Sequence, residues 1–168
     1  MVFNGVESYN LRSLRHSDTR VRSRIVLKGE PMDRITAERR SWNMSRVKGQ
    51  NTAPELRVRS EPHRLGFRFS LRRRDLPGRP DIVLPKYRAA IFVHGCFWHR
   101  HENCRKSALP KTRRELWLTK LSGNVERDKR NVIALEQLGW KVLTVWECEV
   151  GDESALSERL LSSLAKSL

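Results

Sequence analysis

The sequence predicts one α/β domain built around a mixed sheet. Three observations lead there. Short apolar runs at 81–84, 89–93 and 142–146 have the length and residue types of strands. Capped or amphipathic stretches lie between and beside them. The 168 residues are enough for a single domain with its own core. From Thr52 onward the predicted order is α-β-β-β-α-β, followed by a helical tail.

Each element has a local reason. From Asp33 to about Lys48 the chain is polar and helix-permissive, and Gly49 and Asn51 break it. Thr52-Ala53-Pro54-Glu55 has the spacing of a capping box, with Pro54 tolerated in the first turn. The helix that follows should stop at Gly66. Pro62 removes an N–H and crowds the carbonyl of Val58, which predicts a kink or an early end. Phe67, Phe69 and Leu71 alternate with Arg68 and Ser70, the pattern of a half-buried strand. The Arg72-Arg73-Arg74 cluster and a Pro77-Gly78 turn lead to Asp81-Ile82-Val83-Leu84, a second strand closed by Pro85-Lys86. Ala89 to Val93 reads as a buried third strand.

A second capping box, Thr112-Arg113-Arg114-Glu115, predicts a helix through Trp117 and Leu121, interrupted at Gly123-Asn124. The next helix carries Val125, Asp128, Val132 and Leu135 on one stripe and ends at Gly139. Val142 to Trp146 is a strand, and Leu156, Leu160 and Leu164 mark a final amphipathic helix. Residues 1–31 are rich in Arg and Ser and lack an apolar signal core. They are expected to form a poorly ordered extension ahead of a domain spanning 32–168.

The formal charge of +15, from 34 Lys and Arg against 19 Asp and Glu, points to a polyanionic partner, most often nucleic acid. No apolar run approaches the length of a membrane span. Three cysteines cannot close into a disulfide set, so metal-bound or free thiols in a reducing cytoplasm are expected.

The chemistry concentrates in "HGCFWHRHENC", His94 to Cys104, which holds two of the three cysteines and three of the five histidines. Cys96, His101 and Cys104 offer three zinc donors on one loop, and zinc in a structural site takes four. Cys148, just past the strand ending at Trp146, becomes the fourth if that strand lies beside the one ending at Val93. Buried free cysteines with surface histidines are the plainer alternative. Among the acids, Asp81 reads either as a turn cap or as a carboxylate presented at a sheet edge. Glu55 is accounted for by its capping box. Asp128 sits on an apolar stripe and needs a partner, either an Arg or a histidine from 94–101. His94 and His99 remain for acid–base work. Magnesium needs few protein oxygens, so Asp81 with the carbonyl near Val93 makes a site. Phosphodiester hydrolysis unites these groups with a basic surface. Phe97 and Trp98, with Trp117, either fill core under the zinc or act as wedges between base pairs. Trp140 and Trp146 flank a strand and read as core.

Taken together, these residues resemble the very short patch repair endonucleases of bacteria. "NTAPE", "LPGRPDIV", "IFVHGCFWHRHENC", "NVERDKRN" and "LGWKVLTVWEC" occur in that family's order, from about Asp33 to Cys148. The resemblance implies a restriction-endonuclease-like fold of the PD-(D/E)xK superfamily. It implies nicking of duplex DNA beside the T of T:G mismatches left by 5-methylcytosine deamination, by a cytoplasmic monomer with repair-pathway partners. By the same resemblance Asp81 and the Val93 carbonyl bind magnesium, His99 is the general base, and Glu55, His94 and Asp128 complete the site. Cys96, His101, Cys104 and Cys148 hold structural zinc, and Phe97, Trp98 and Trp117 open the DNA. Val93 stands where a Thr is familiar in the family, and Pro62 lies in the helix of Glu55. Two other classes compete: a zinc-stabilised DNA-binding protein without catalysis, and a nicking enzyme of the same fold with another target sequence. Asp81 and His99 separate the first from an enzyme, because a binder needs neither.

Overall fold

A computed structural model describes residues 35–165, and the extension expected at 1–31 lies outside them. Helix α1 (Ala37–Ser45) is capped by Thr36, whose hydroxyl accepts from the Arg39 N–H. Helix α2 (Ala53–Arg64) starts at the predicted box. The Thr52 hydroxyl accepts from the Glu55 N–H, while the Glu55 carboxylate reaches back to the Asn51 N–H at 3.0 Å. Thr52→Ala removes that cap and should cost about 1 kcal/mol in urea unfolding.

Pro62 does not end α2. It sits in the last turn, where its carbonyl accepts from the Phe67 N–H at 2.8 Å while the Gly66 N–H bonds to His63. That is a Schellman cap, with Gly66 at φ +76°. A proline here forfeits one helical bond and keeps the acceptor that the cap uses.

Strands β1 (Ile82–Leu84), β2 (Ala89–His94) and β3 (Lys141–Trp146) form one sheet in that order, β1 antiparallel to β2 and β2 parallel to β3. The mixed sheet agrees with expectation, but the strand expected at 67–71 shrinks to a single bridge, Ser70 to Val83. Phe67 and Phe69 pack against the core as expected, but Leu71, expected on the same face, does not. The ladder stops because Arg72 turns away at φ +46° and Leu71 points outward, 43% exposed.

Helix α3 (Arg114–Gln137) crosses from β2 to β3 as one piece, without the expected break at Gly123-Asn124. Nothing lies near the position a Gly123 side chain would take, and the Asn124 amide donates to the Trp98 carbonyl instead of to its own helix. The second capping box does not form. Arg113, in a left-handed conformation, is the cap residue, and no side chain bonds there. At the other end Gly139, at φ +76°, closes a second Schellman cap, as read. Helix α4 (Glu153–Ala165) buries Leu156, Leu160 and Leu164, as its period required.

Strand alternation divides the core into two layers. Ile82, Leu84, Ile91 and Val145 face Val58 of α2 and the three leucines of α4. Val83, Ala90 and Phe92 face Leu76 and Leu135 of α3. No described helix is long and apolar enough to cross a membrane.

Candidate functional site

The topology brings three segments to one sheet edge. His94 ends β2 and pairs with Trp146, which ends β3. Because β1 runs the opposite way, Asp81, just before it, lies at that same edge. The Asp81 carboxylate takes the place of a strand neighbour, with its Oδ2 accepting from the Val93 N–H at 2.8 Å. In a strand the N–H and C=O of one residue point the same way, so the Val93 carbonyl also faces Asp81. Burial pushes the Asp81 carboxyl above its usual range, with the nearby Glu55 charge adding to the effect; the Val93 N–H, Arg72 and Arg59 oppose it.

A cleft of about 600 Å³ opens at this edge. Glu55, Asp81 and Val93 line one part, and His94, His99, Trp98 and Asp128 another. Glu55 lies in the cleft, but its oxygens are engaged. Oε1 accepts from the Thr52 hydroxyl at 2.9 Å, and Oε2 from Arg72 at 2.6 Å and the Asn51 N–H. Burial raises its pKa, yet Arg72, Thr52 and the backbone N–H groups of Asn51 and Thr52 together hold it below the usual range. Glu55 is thus an ionised anchor for a guanidinium, more than the capping group read from its spacing.

The partner of Asp128 is His99, with Nδ1 to Oδ2 at 2.5 Å. The ring of His99 stacks on His94 at 3.9 Å and 8°. His94, His99 and Asp128 bring their donor atoms within 4.8 Å of one another. Parallel rings aim their in-plane lone pairs side by side, so the two histidines are poorly placed to share one cation. The group is better built to hold and move a proton.

Burial, and next the His99 charge, lower the His94 pKa from 6.5 to about 4. His94 is therefore neutral in the fold, while the unfolded chain takes up a proton between those values. Stability attributable to His94 is full above about pH 6.5 and is lost as the pH falls towards about 4. His94→Gln should flatten the fall of the urea midpoint across that window; an unchanged slope contradicts the assignment.

Beyond the histidine pair the two chain exits meet. Cys96, His101, Cys104 and Cys148 converge with all four donor atoms within 4.8 Å. The His101 Nδ1 lies 3.3 Å from the Cys148 sulfur and 3.6 Å from that of Cys96. Three thiols and one imidazole in that arrangement fit a tetrahedral metal. Burial pushes the Cys96 thiol up to about 12 and raises that of Cys148, whereas the Lys106 N–H lowers that of Cys104. A cation at the centre is what would ionise the first two.

Phe97, Trp98 and Trp117 gather at ring separations of 5.1 to 6.1 Å. They are half-buried and stand apart from both core layers. The Lys120 ammonium lies 5.3 Å from the Trp98 ring and 5.7 Å from that of Trp117.

Several cleft residues escaped the sequence reading. Asn124, Arg127 and Asn131 share the cleft-facing side of α3 with Asp128, at spacings of 3, 1 and 3. That stripe becomes visible only when the helix is continuous. Asn131 packs on Gly78, where an added Cβ would sit 2.7 Å from its amide nitrogen and φ is +71°. Glycine is therefore required just ahead of Asp81. Trp146, read as core, is instead half-buried and lies flat on His101 at 4.1 Å and 5°.

Comparison with known proteins gives the chain its family. The family model of the DNA mismatch endonuclease Vsr matches residues 32–106. The Type II nicking enzyme V.XorIIP of Xanthomonas oryzae pv. oryzae is 50% identical over 132 residues, 79% of this chain and 96% of that protein. The chain belongs to the Vsr family. The DNA mismatch endonuclease Vsr of Escherichia coli K12 is 45% identical over 123 residues, 73% of this chain and 78% of its own. The Type II nicking enzyme V.NmeAIP of Neisseria meningitidis is 41% identical over 128 residues, 76% and 91% of the two chains. These alignments span most of the chain, whereas the Vsr family model ends shortly after Cys104.

Proposed function

We propose that this Vsr-family chain is a DNA mismatch endonuclease that nicks the strand beside the T of a T:G mismatch, and that it acts in the cytoplasm. The observation that carries the reading is the pairing of His99 with Asp128 on the wall of the cleft that also holds Asp81. A DNA-binding module without catalysis has no use for that pairing. We assign the fold to the restriction-endonuclease-like class, with residues 32–168 as the catalytic domain. The mixed sheet with Asp81 at its edge supports that assignment.

Each side chain then has a task. With Nδ1 bonded to Asp128, His99 keeps its Nε2 lone pair free to take a proton from the attacking water. Asp128 fixes that tautomer and stabilises the imidazolium that forms. The second oxygen of Asp81 and the Val93 carbonyl are hard donors that would hold magnesium. Such an ion, when bound, neutralises charge building on the phosphate oxygens. Only the carbonyl of Val93 is used, so a valine serves where a threonine is familiar. Glu55 and Arg72 balance charge beside Asp81. Cys96, His101, Cys104 and Cys148 would hold zinc, which ties the loop after β2 to the end of β3. Phe97, Trp98 and Trp117 present flat apolar surface beside Lys120, suited to entering a base stack.

Labelled duplexes carrying T:G or C:G, incubated with magnesium, test the proposal. A nick confined to the T:G duplex is expected; no nick, or equal nicks in both, removes the mismatch specificity. Asp128→Asn should lower kcat by about three orders of magnitude with DNA affinity kept. The relatives named as nicking enzymes favour one variation, the same reaction in another flanking sequence. Scanning flanking bases in the same assay decides it, with the Arg72-Arg73-Arg74 segment the first place to look for the reader.

A further inference from the structure

His94 is held differently from its neighbours. Among the described residues no direct hydrogen bond to its ring is found, and three aromatic rings border it. His99 covers one face. Trp146 meets it at 5.4 Å and 71°, and Phe92 at 5.8 Å and 39°. Trp146 in turn lies flat on His101 at 4.1 Å and 5°. It is the one aromatic side chain among the described residues whose ring contacts reach both the cysteine cluster and the histidine pair.

The space around it makes that contact matter. A second hollow of about 600 Å³ shares His94, His99 and Asp128 with the cleft. Val125, Val132 and Ile133 of α3 and Trp146 give it an apolar side, while Arg100, Glu102, Lys129 and Thr144 also line it. With Trp146 cut back, His94 has open space beside it and no hydrogen bond to stop it tilting. His99, which stacks on His94, then loses the support that keeps its ring in line with Asp128. An imidazole displaced by even part of an ångström from the attacking water is a poor base.

We infer that Trp146 is a positioning residue for His99, and that it makes the alignment of the histidine pair depend on the cysteine–histidine cluster. His101 supplies the fixed plane, Trp146 rests on it, and His94 and His99 follow. The inference rests on the reading of His99 as general base. The metal cluster is thereby more than a clamp on the loop, because the pose of one of its ligands is passed ring by ring to the reacting centre.

Zinc-loaded Trp146→Phe and Trp146→Leu proteins test this against the parent. Steady-state nicking of the T:G duplex is measured together with zinc content and the imidazole nitrogen–proton spectra of the DNA-free proteins. The phenyl ring keeps part of the stack, so Trp146→Phe should lower kcat about tenfold and Trp146→Leu about a hundredfold. KM should stay within about twofold and zinc content should be unchanged, because neither DNA contacts nor metal donors are touched. The His94 and His99 ring resonances should move in both variants. Parent-like kcat, a loss that falls on KM, a loss proportional to missing zinc, or unmoved His99 resonances overturns the inference. Should Trp146→Leu fail to fold or to hold zinc, Trp146→Phe decides by the same criteria. A parent that does not nick T:G duplexes sinks the functional reading instead, and the His99 resonances then judge the inference by themselves.

Discussion

Replacing Asp81 by asparagine is expected to abolish nicking in a protein at least as stable as the parent. The two effects have separate causes. Loss of the carboxylate removes the anionic oxygen donor that sits against Val93 in the cleft wall. A divalent ion and the charge stabilisation it brings are worth several kcal/mol, so kcat should fall by about a thousandfold or more. Stability moves the other way. Burial raises the folded-state pKa of Asp81, so the ionised carboxylate at neutral pH works against the fold. Asparagine keeps an oxygen to accept from the Val93 N–H and carries no charge. Its thermal midpoint at pH 7 should match or exceed that of the parent, with DNA affinity and zinc content retained. A midpoint well below the parent's, or residual nicking near the parental rate, contradicts the placement of Asp81.

Replacing Cys148 by serine is expected to remove zinc and much of the stability with it. Cys148 is exposed and belongs to neither core layer, so its own packing contributes little. Its sulfur nevertheless lies 3.3 Å from the His101 Nδ1, in a cluster that joins the loop after β2 to the end of β3. Structural zinc contributes directly to folding free energy, and a site reduced to three protein donors loses much of that affinity. A loss of several kcal/mol lowers the thermal midpoint by about 10 °C or more in a chain of this size. Zinc measured by atomic emission should drop from about one per chain to near zero. A chelator should destabilise the parent and leave the Cys148→Ser protein unchanged. A variant that retains zinc and its midpoint removes Cys148 from the cluster.

Other features divide according to how far along the chain their causes lie. The Thr52 cap, the Gly66 and Gly139 stops and the leucine period of α4 were legible, because capping and amphipathicity act within one or two turns. The same locality misled at Gly123-Asn124, where helix-weakening residues suggested a break. The Asn124 side chain finds the Trp98 carbonyl 26 positions away, and the helix continues. The strand at 67–71 failed for a related reason. Alternation placed Phe67 and Phe69 inward but not Leu71, because Arg72 leaves the ladder to reach Glu55, 17 positions away.

The candidate site divides along the same line. The chain alone determined which donors exist: every cysteine, the histidines between 94 and 101, and one aspartate ahead of a strand. It also determined that Cys96 and Cys148 could meet if two strands lay side by side. Tertiary structure decided the pairings. Parallel register sets His94 opposite Trp146, 52 positions apart, and so builds the ring contacts from His101 to His99. It engages Glu55 with Arg72, gives His99 to Asp128, and sets Asp81 against the Val93 N–H in the cleft wall. Local forces select residue types and elements within a few positions. Which side chain meets which depends on sheet register and helix packing, and those are fixed only when distant segments bury their apolar faces together.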